Sequence, residues 1–75
     1  MEVFFDNVLV KEIKETGIQA VSSDKQIKGE VTTVGGGGEH EMMFVPGDTV
    51  YFPQFEAVKF DKFFIVPQQF ILARD

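Results

Sequence analysis

A chain of 75 residues makes one small domain, burying only about 60% of the surface its unfolded form exposes. It has no cysteine and a single histidine, so disulfides and Cys- or His-rich metal sites are not available as staples, and association between copies is the remaining way to bury more surface. Twelve acidic residues against seven basic ones give a net charge of −5 and a pI near 4.7, which argues against binding a nucleic-acid backbone, where clustered Lys and Arg are needed.

Nine Phe and one Tyr are many large apolar side chains for so small an interior. They point to burial between subunits, where aromatic residues are enriched. The alternative is an unusually Phe-rich core. The lysines between Lys11 and Lys28 are interleaved with Glu12, Glu15, Asp24 and Glu30, the pattern of a solvated face. No apolar run approaches the ~20 residues that span a bilayer, and Met1-Glu2-Val3-Phe4-Phe5-Asp6 lacks the basic region and long apolar core of a signal peptide. A soluble, cytoplasmic protein without membrane contact is expected.

In chain order, Val3-Phe4-Phe5 is a short apolar terminal stretch, and Asp6-Asn7 favours a turn. Val8 to Ile13 reads as a strand with Leu9 and Ile13 on one face and Val8 and Val10 on the other, so both faces call for cover. Residues 14–25 lose all periodicity and form a long loop. An apolar island, Ile18 to Val21, follows Gly17, either as an anchor folded back on the domain or as bait for a partner. Gln26 to Val34 is the next strand, with Ile27, Val31 and Thr33 on one face and Gly29 at a bulge or tight corner.

Gly35 to Gly38 read as a flexible tip. A phosphate cradle would need a following Lys-Ser/Thr and a helix, and both are missing. Glu39-His40-Glu41, in consecutive extended positions, cannot all face one ion, so no metal site is expected. Residues 35–45 form a short excursion, a hairpin in outline. Pro46-Gly47 then pre-sets a turn that Asp48 closes through its side chain. It launches Thr49-Val50-Tyr51-Phe52, with Val50 and Phe52 facing one way.

Pro53 to Glu56 is a connection, and Ala57 to Phe60 is a strand with Val58 and Phe60 inward. Asp61-Lys62 makes a turn, and Phe63-Phe64-Ile65-Val66 is a strand covered on both faces. Pro67-Gln68-Gln69 breaks it before a last strand, Phe70 to Ala73. Apolar strands at both ends of the chain present exposed edges unless they are paired. Joining the last strand of one copy to the first of the next would pair them and close a ring. The chemical inventory is thin: without Cys, with one His and with Ser22-Ser23 in a loop, no oriented nucleophile is available, and no enzyme activity is expected.

The order of these signals resembles the GroES-type co-chaperonins over nearly the whole chain. They run Asp6-Asn7-Val8-Leu9-Val10-Lys11, a loop carrying Gly17-Ile18, Lys28-Gly29-Glu30-Val31 to Val34-Gly35, then Gly47 to Phe52, Ala57-Val58-Lys59 and Phe70-Ile71-Leu72-Ala73. The resemblance implies an all-β fold over residues 1–75, a small irregular GroES-like β-barrel. It also implies a homo-oligomeric ring of seven such barrels that caps a GroEL-type chaperonin during its ATP cycle and assists protein folding. ATP and Mg²⁺ would be bound by that partner, leaving this chain without a cofactor.

By the same resemblance, Val3, Phe4, Phe5, Phe70, Ile71 and Leu72 lie at the ring interface. The loop at about 14–25 is mobile until it docks on the chaperonin through Ile18-Gln19-Ala20, flanked by Gly17 and Val21, and residues 35–45 are a reduced roof. The chain departs from the family pattern in two places. Gln19 interrupts the apolar tripeptide, leaving the contact to Ile18 and Val21, and the loop is short. Half of the seventeen residues between Lys11 and Gly29 still reaches roughly 25 Å. The roof segment is also short and glycine-rich, which implies a thin or open roof. A ring-forming adaptor of the same fold that no longer binds a chaperonin is the alternative. Medium-chain alcohol dehydrogenases also contain a GroES-like domain, but this chain has neither their Cys ligands nor a dinucleotide-binding half.

Overall fold

The computed structural model describes residues 2–13 and 26–75. Six strands, β1 (Asn7–Glu12), β2 (Gln26–Val34), β3 (Thr49–Pro53), β4 (Val58–Phe60), β5 (Phe63–Pro67) and β6 (Ala73–Arg74), form one antiparallel sheet. Their order is β4-β5-β1-β2-β3-β6. No α-helix occurs among the described residues. Two 3₁₀ turns, Gln54–Glu56 and Gln68–Phe70, follow prolines whose extended backbone starts them.

Alternation of side chains sends Val8 and Val10, Ile27 and Val31, Val50 and Phe52, and Phe64 and Val66 to one face, where they form a single buried cluster. The Phe52 and Phe64 rings meet edge to face at 5.5 Å. Their strands, β3 and β5, are separated in the sheet by β2 and β1, a span of about 14 Å if the sheet were flat. The sheet must therefore curl around this cluster. Fully burying Phe52 alone is worth roughly 1.5–3 kcal/mol.

Two irregularities shape the curl. Val10 pairs with Val31 but Leu9 pairs with Thr33, so Thr32 is an extra residue in β2, and its hydroxyl donates to the Leu9 carbonyl at 3.2 Å. This bulge reverses the alternation beyond it: Val34 joins the core, and Thr33 pairs with Leu9 on the outer face. Thr33 is thus not on the face of Ile27 and Val31, and the bulge lies three residues after Gly29. Gly29 serves a different need, because a Cβ there would collide with Val10 Cγ1 and lie 2.9 Å from the Lys11 carbonyl oxygen.

The turn before β3 forms as the sequence predicts. The Asp48 N–H donates to the Val45 carbonyl at 3.1 Å, Gly47 holds φ at 102°, and the Asp48 carboxylate accepts the Val45 N–H at 3.0 Å. Two further backbone bonds of 2.8 Å, Gly47 N–H to Val31 O and Val31 N–H to Asp48 O, fasten the turn to β2.

The sheet's two ends differ from expectation. Val58 and Phe60 are exposed and not inward, since β4 is a three-residue edge strand whose outer face carries them. The expected strand Phe70 to Ala73 is instead the end of a 3₁₀ turn followed by the two-residue β6, paired with Val50 and Tyr51. Val3-Phe4-Phe5 is not a strand either: Phe5 and Asp6 form a turn closed by the Asn7 N–H to the Phe4 carbonyl at 3.2 Å.

Candidate functional site

The sequence marks two functional surfaces, a partner-binding loop and a seam between copies. Gly17, Ile18, Gln19, Ala20 and Val21 lie outside the described residues. The residues on either side of them are described. The Ile13 N–H donates to the Lys28 carbonyl at 2.8 Å, and Glu12 pairs with Gly29, so the chain leaves β1 and re-enters β2 at one end of the sheet.

The six seam residues fall into two groups. Val3 is buried, and Phe70 and Ile71 pack on the molecule's own core, so these three are largely committed within the chain. Phe4, Phe5 and Leu72 are 60%, 70% and 59% exposed. The rings of Phe4 and Phe5 sit 6.5 Å apart, tilted at 51°. Phe5 holds φ at 59°, a left-handed conformation that is an outlier for a bulky side chain and costs about 1–3 kcal/mol.

Contacts from elsewhere impose that conformation. The Gly35 N–H donates to Asn7 O at 2.9 Å and the Gly37 N–H to Phe5 O at 2.8 Å. A Cβ on Gly35 would strike the Phe5 carbonyl oxygen and stand 2.6 Å from the Phe4 carbonyl carbon. One on Gly38 would stand 2.7 Å from an Asp6 carboxylate oxygen. The glycine run is therefore a seat for the Phe4–Asn7 turn and not a flexible tip. Residues 35–45, where a short roof-like hairpin is expected, contain no strand.

Asp6 and Gln68 hold this loop. The Asp6 carboxylate accepts the Gln68 amide at 2.7 Å, the Gly38 N–H at 3.1 Å and the Glu39 N–H at 3.2 Å. Gln68, 6% exposed, also donates to Glu41 O at 3.3 Å and accepts the Met43 N–H at 3.0 Å. The Gln68 amide chiefly, then the two backbone N–H groups and the charge of His40, hold the Asp6 carboxyl below the usual carboxylate range against a desolvation cost. Neither residue stands out in the sequence as more than a turn former or a strand breaker.

At the other end of the loop, Met43 and Phe44 join Ile71, Leu72, Ala73 and Arg74 in lining an open groove of about 180 Å³. Arg74 donates to Met43 O at 2.7 Å, lies 5.4 Å over the Phe44 ring and pairs with Asp48 at 3.5 Å. That ion pair joins an exposed Arg74 to a half-buried Asp48 at a long 3.5 Å and is worth about 1 kcal/mol or less, so the stacking and the carbonyl contact help fix the side chain.

Among the described residues, no three His, Asp or Glu side chains come together as a metal site, and no helix is long and apolar enough to cross a membrane. Glu39, His40 and Glu41 are exposed. Comparison with protein-family models and with curated proteins found no match for this chain.

Proposed function

We propose that the chain is a GroES-type co-chaperonin, an irregular barrel that assembles into a seven-membered ring and caps a GroEL-type chaperonin in a nucleotide-dependent manner. It acts in the cytoplasm as a non-enzymatic lid, with ATP and Mg²⁺ held by the partner. The observation that carries this reading is the frame of residues 14–25. The residues that flank that segment, Ile13 before it and Gln26 to Lys28 after it, belong to adjacent, paired strands or bond to them at one end of a curled all-β sheet, while the sequence between them carries the apolar Ile18 to Val21 island. A docking loop needs that combination of a rigid base and an apolar tip.

Phe4, Phe5 and Leu72 supply the seam in this reading. They are the members of the expected interface that the chain's own core does not absorb. Replacing one buried aliphatic contact by Gln19 weakens each docking event by about 1.5–3 kcal/mol. Simultaneous engagement of the loops of one ring offsets that loss through effective concentration. The short 35–45 segment gives the ring a thin or open roof.

The test is Ile18→Asp in chaperonin-assisted refolding. Loss of assistance with an intact ring is expected. Unchanged assistance would overturn the docking model, and a wild-type ring that binds no chaperonin would favour an adaptor of the same fold.

A further inference from the structure

The loop at 35–45 touches both ends of the chain. Near its start it is fixed to the Phe4–Asn7 turn through the Asp6 carboxylate and the bonds from Gly35 and Gly37. In its middle Gln68 holds Glu41 and Met43. Near its end Arg74 of β6 holds Met43 and stacks on Phe44. Gln68 is also the one buried polar residue among those described, and its amide spends both donors and its carbonyl on this junction.

We propose that residues 35–45 act as a strut, latched by Asp6 and Gln68, that couples the Phe4–Asn7 turn to the β6 segment on the far side of the loop. A strut with fixed ends transmits position: displacing the turn strains the Asp6 bonds, which moves Gln68, Met43 and then Arg74. Such a chain of contacts couples two sites only if breaking its middle changes both ends, which makes the coupling measurable. For assembly, and here the inference rests on the ring reading, a neighbour seated on Phe4 and Phe5 would fix Leu72 to Arg74 for the next neighbour. Ring closure would then be cooperative. The left-handed Phe5 fits this role, because the strained turn holds its shape only while the glycine seat does.

The experiment compares amide hydrogen exchange in the wild-type chain, Asp6→Asn and Gln68→Met, alongside native mass at several concentrations. In both variants Gly38, Glu39 and Met43 should exchange at least tenfold faster. Leu72 and Asp75, whose N–H groups bond to Tyr51 O and Thr49 O, should exchange at least threefold faster, with the strand amides of β1 and β2 unchanged. Gln68→Met keeps the buried volume, so it gives the same comparison should Asp6→Asn loosen the whole sheet. Acceleration that stops at Met43 and spares Leu72 and Asp75 would overturn the strut. The wild type should pass from monomer to ring without populated fragments, whereas the variants should populate partial rings. A wild type that is monomeric throughout would remove the ring reading alone, and exchange would still decide the strut.

Discussion

Two of the turns among the described residues are built on opposite principles. Val45–Asp48 carries its own instructions: Pro46 fixes one φ, Gly47 takes the positive φ at no steric cost, and Asp48 closes the turn with both its main chain and its side chain. Phe4–Asn7 places the positive φ on a phenylalanine and, beyond its own bonds from the Asn7 N–H and side-chain amide to the Phe4 carbonyl, is held by residues some thirty and sixty positions away, Gly35 to Glu39 and Gln68. The first turn launches the strand that carries Val50 and Phe52 into the core. The second presents two aromatic rings to solvent. Local encoding goes with the scaffold, and remote support goes with the exposed surface proposed to meet a neighbour.

Breaking the scaffold side of this comparison should have the largest effect. Phe52→Ala removes a fully buried ring and its contact with Phe64, and should cost about 3–5 kcal/mol in denaturant unfolding. For a domain of this size that approaches the whole stability. On the other side, Gly35→Ala should cost about 1–3 kcal/mol, since its Cβ meets backbone that cannot swing aside. Its signature is displacement of the Phe4–Asn7 turn, read as shifted amide signals at Phe5 and Asn7, with β3 unaffected.

Phe5→Gly sharpens the contrast because its two effects have opposite signs. Relief of the left-handed strain should stabilise the isolated chain by about 0.5–1 kcal/mol, seen as a higher unfolding midpoint. Loss of the exposed ring should weaken self-association, seen as a lower mass at a given concentration. A variant that is both less stable and equally well associated would show that the turn is neither strained nor at a seam.

The smallest effect is that of pH. The Asp6 pKa is lowered on folding, so its contribution is fully present above the unfolded value of about 4 and is lost as pH falls through the lower folded value. The Gly38 and Glu39 amide signals should therefore titrate with a midpoint below that of an ordinary aspartate. Gln68→Met should raise that midpoint by removing the main cause of the shift.

What was legible in the sequence follows the same division. The strands around Val8, Ile27, Val50 and Phe64 could be read from alternation and β-branched or aromatic residues bounded by turn formers, and β2 runs from Gln26 to Val34 as expected. Alternation cannot say which face is inward on an edge strand, so Val58 and Phe60 read as core although they are exposed. It also cannot register an extra residue such as Thr32, which exchanges the faces of Thr33 and Val34. A glycine run is equally compatible with free movement and with close backbone approach, and only the tertiary partner distinguishes them. Asp6 and Gln68 lie sixty-two positions apart, and no local pattern joins them.

Co-sedimentation of the purified protein with a GroEL-type chaperonin, with ATP, with ADP and without nucleotide, tests the central proposal most directly when the sizes of the free and bound species are recorded together. A ring-sized species should bind only when nucleotide is present. A stable monomer that never binds, whatever the nucleotide, would contradict the proposal.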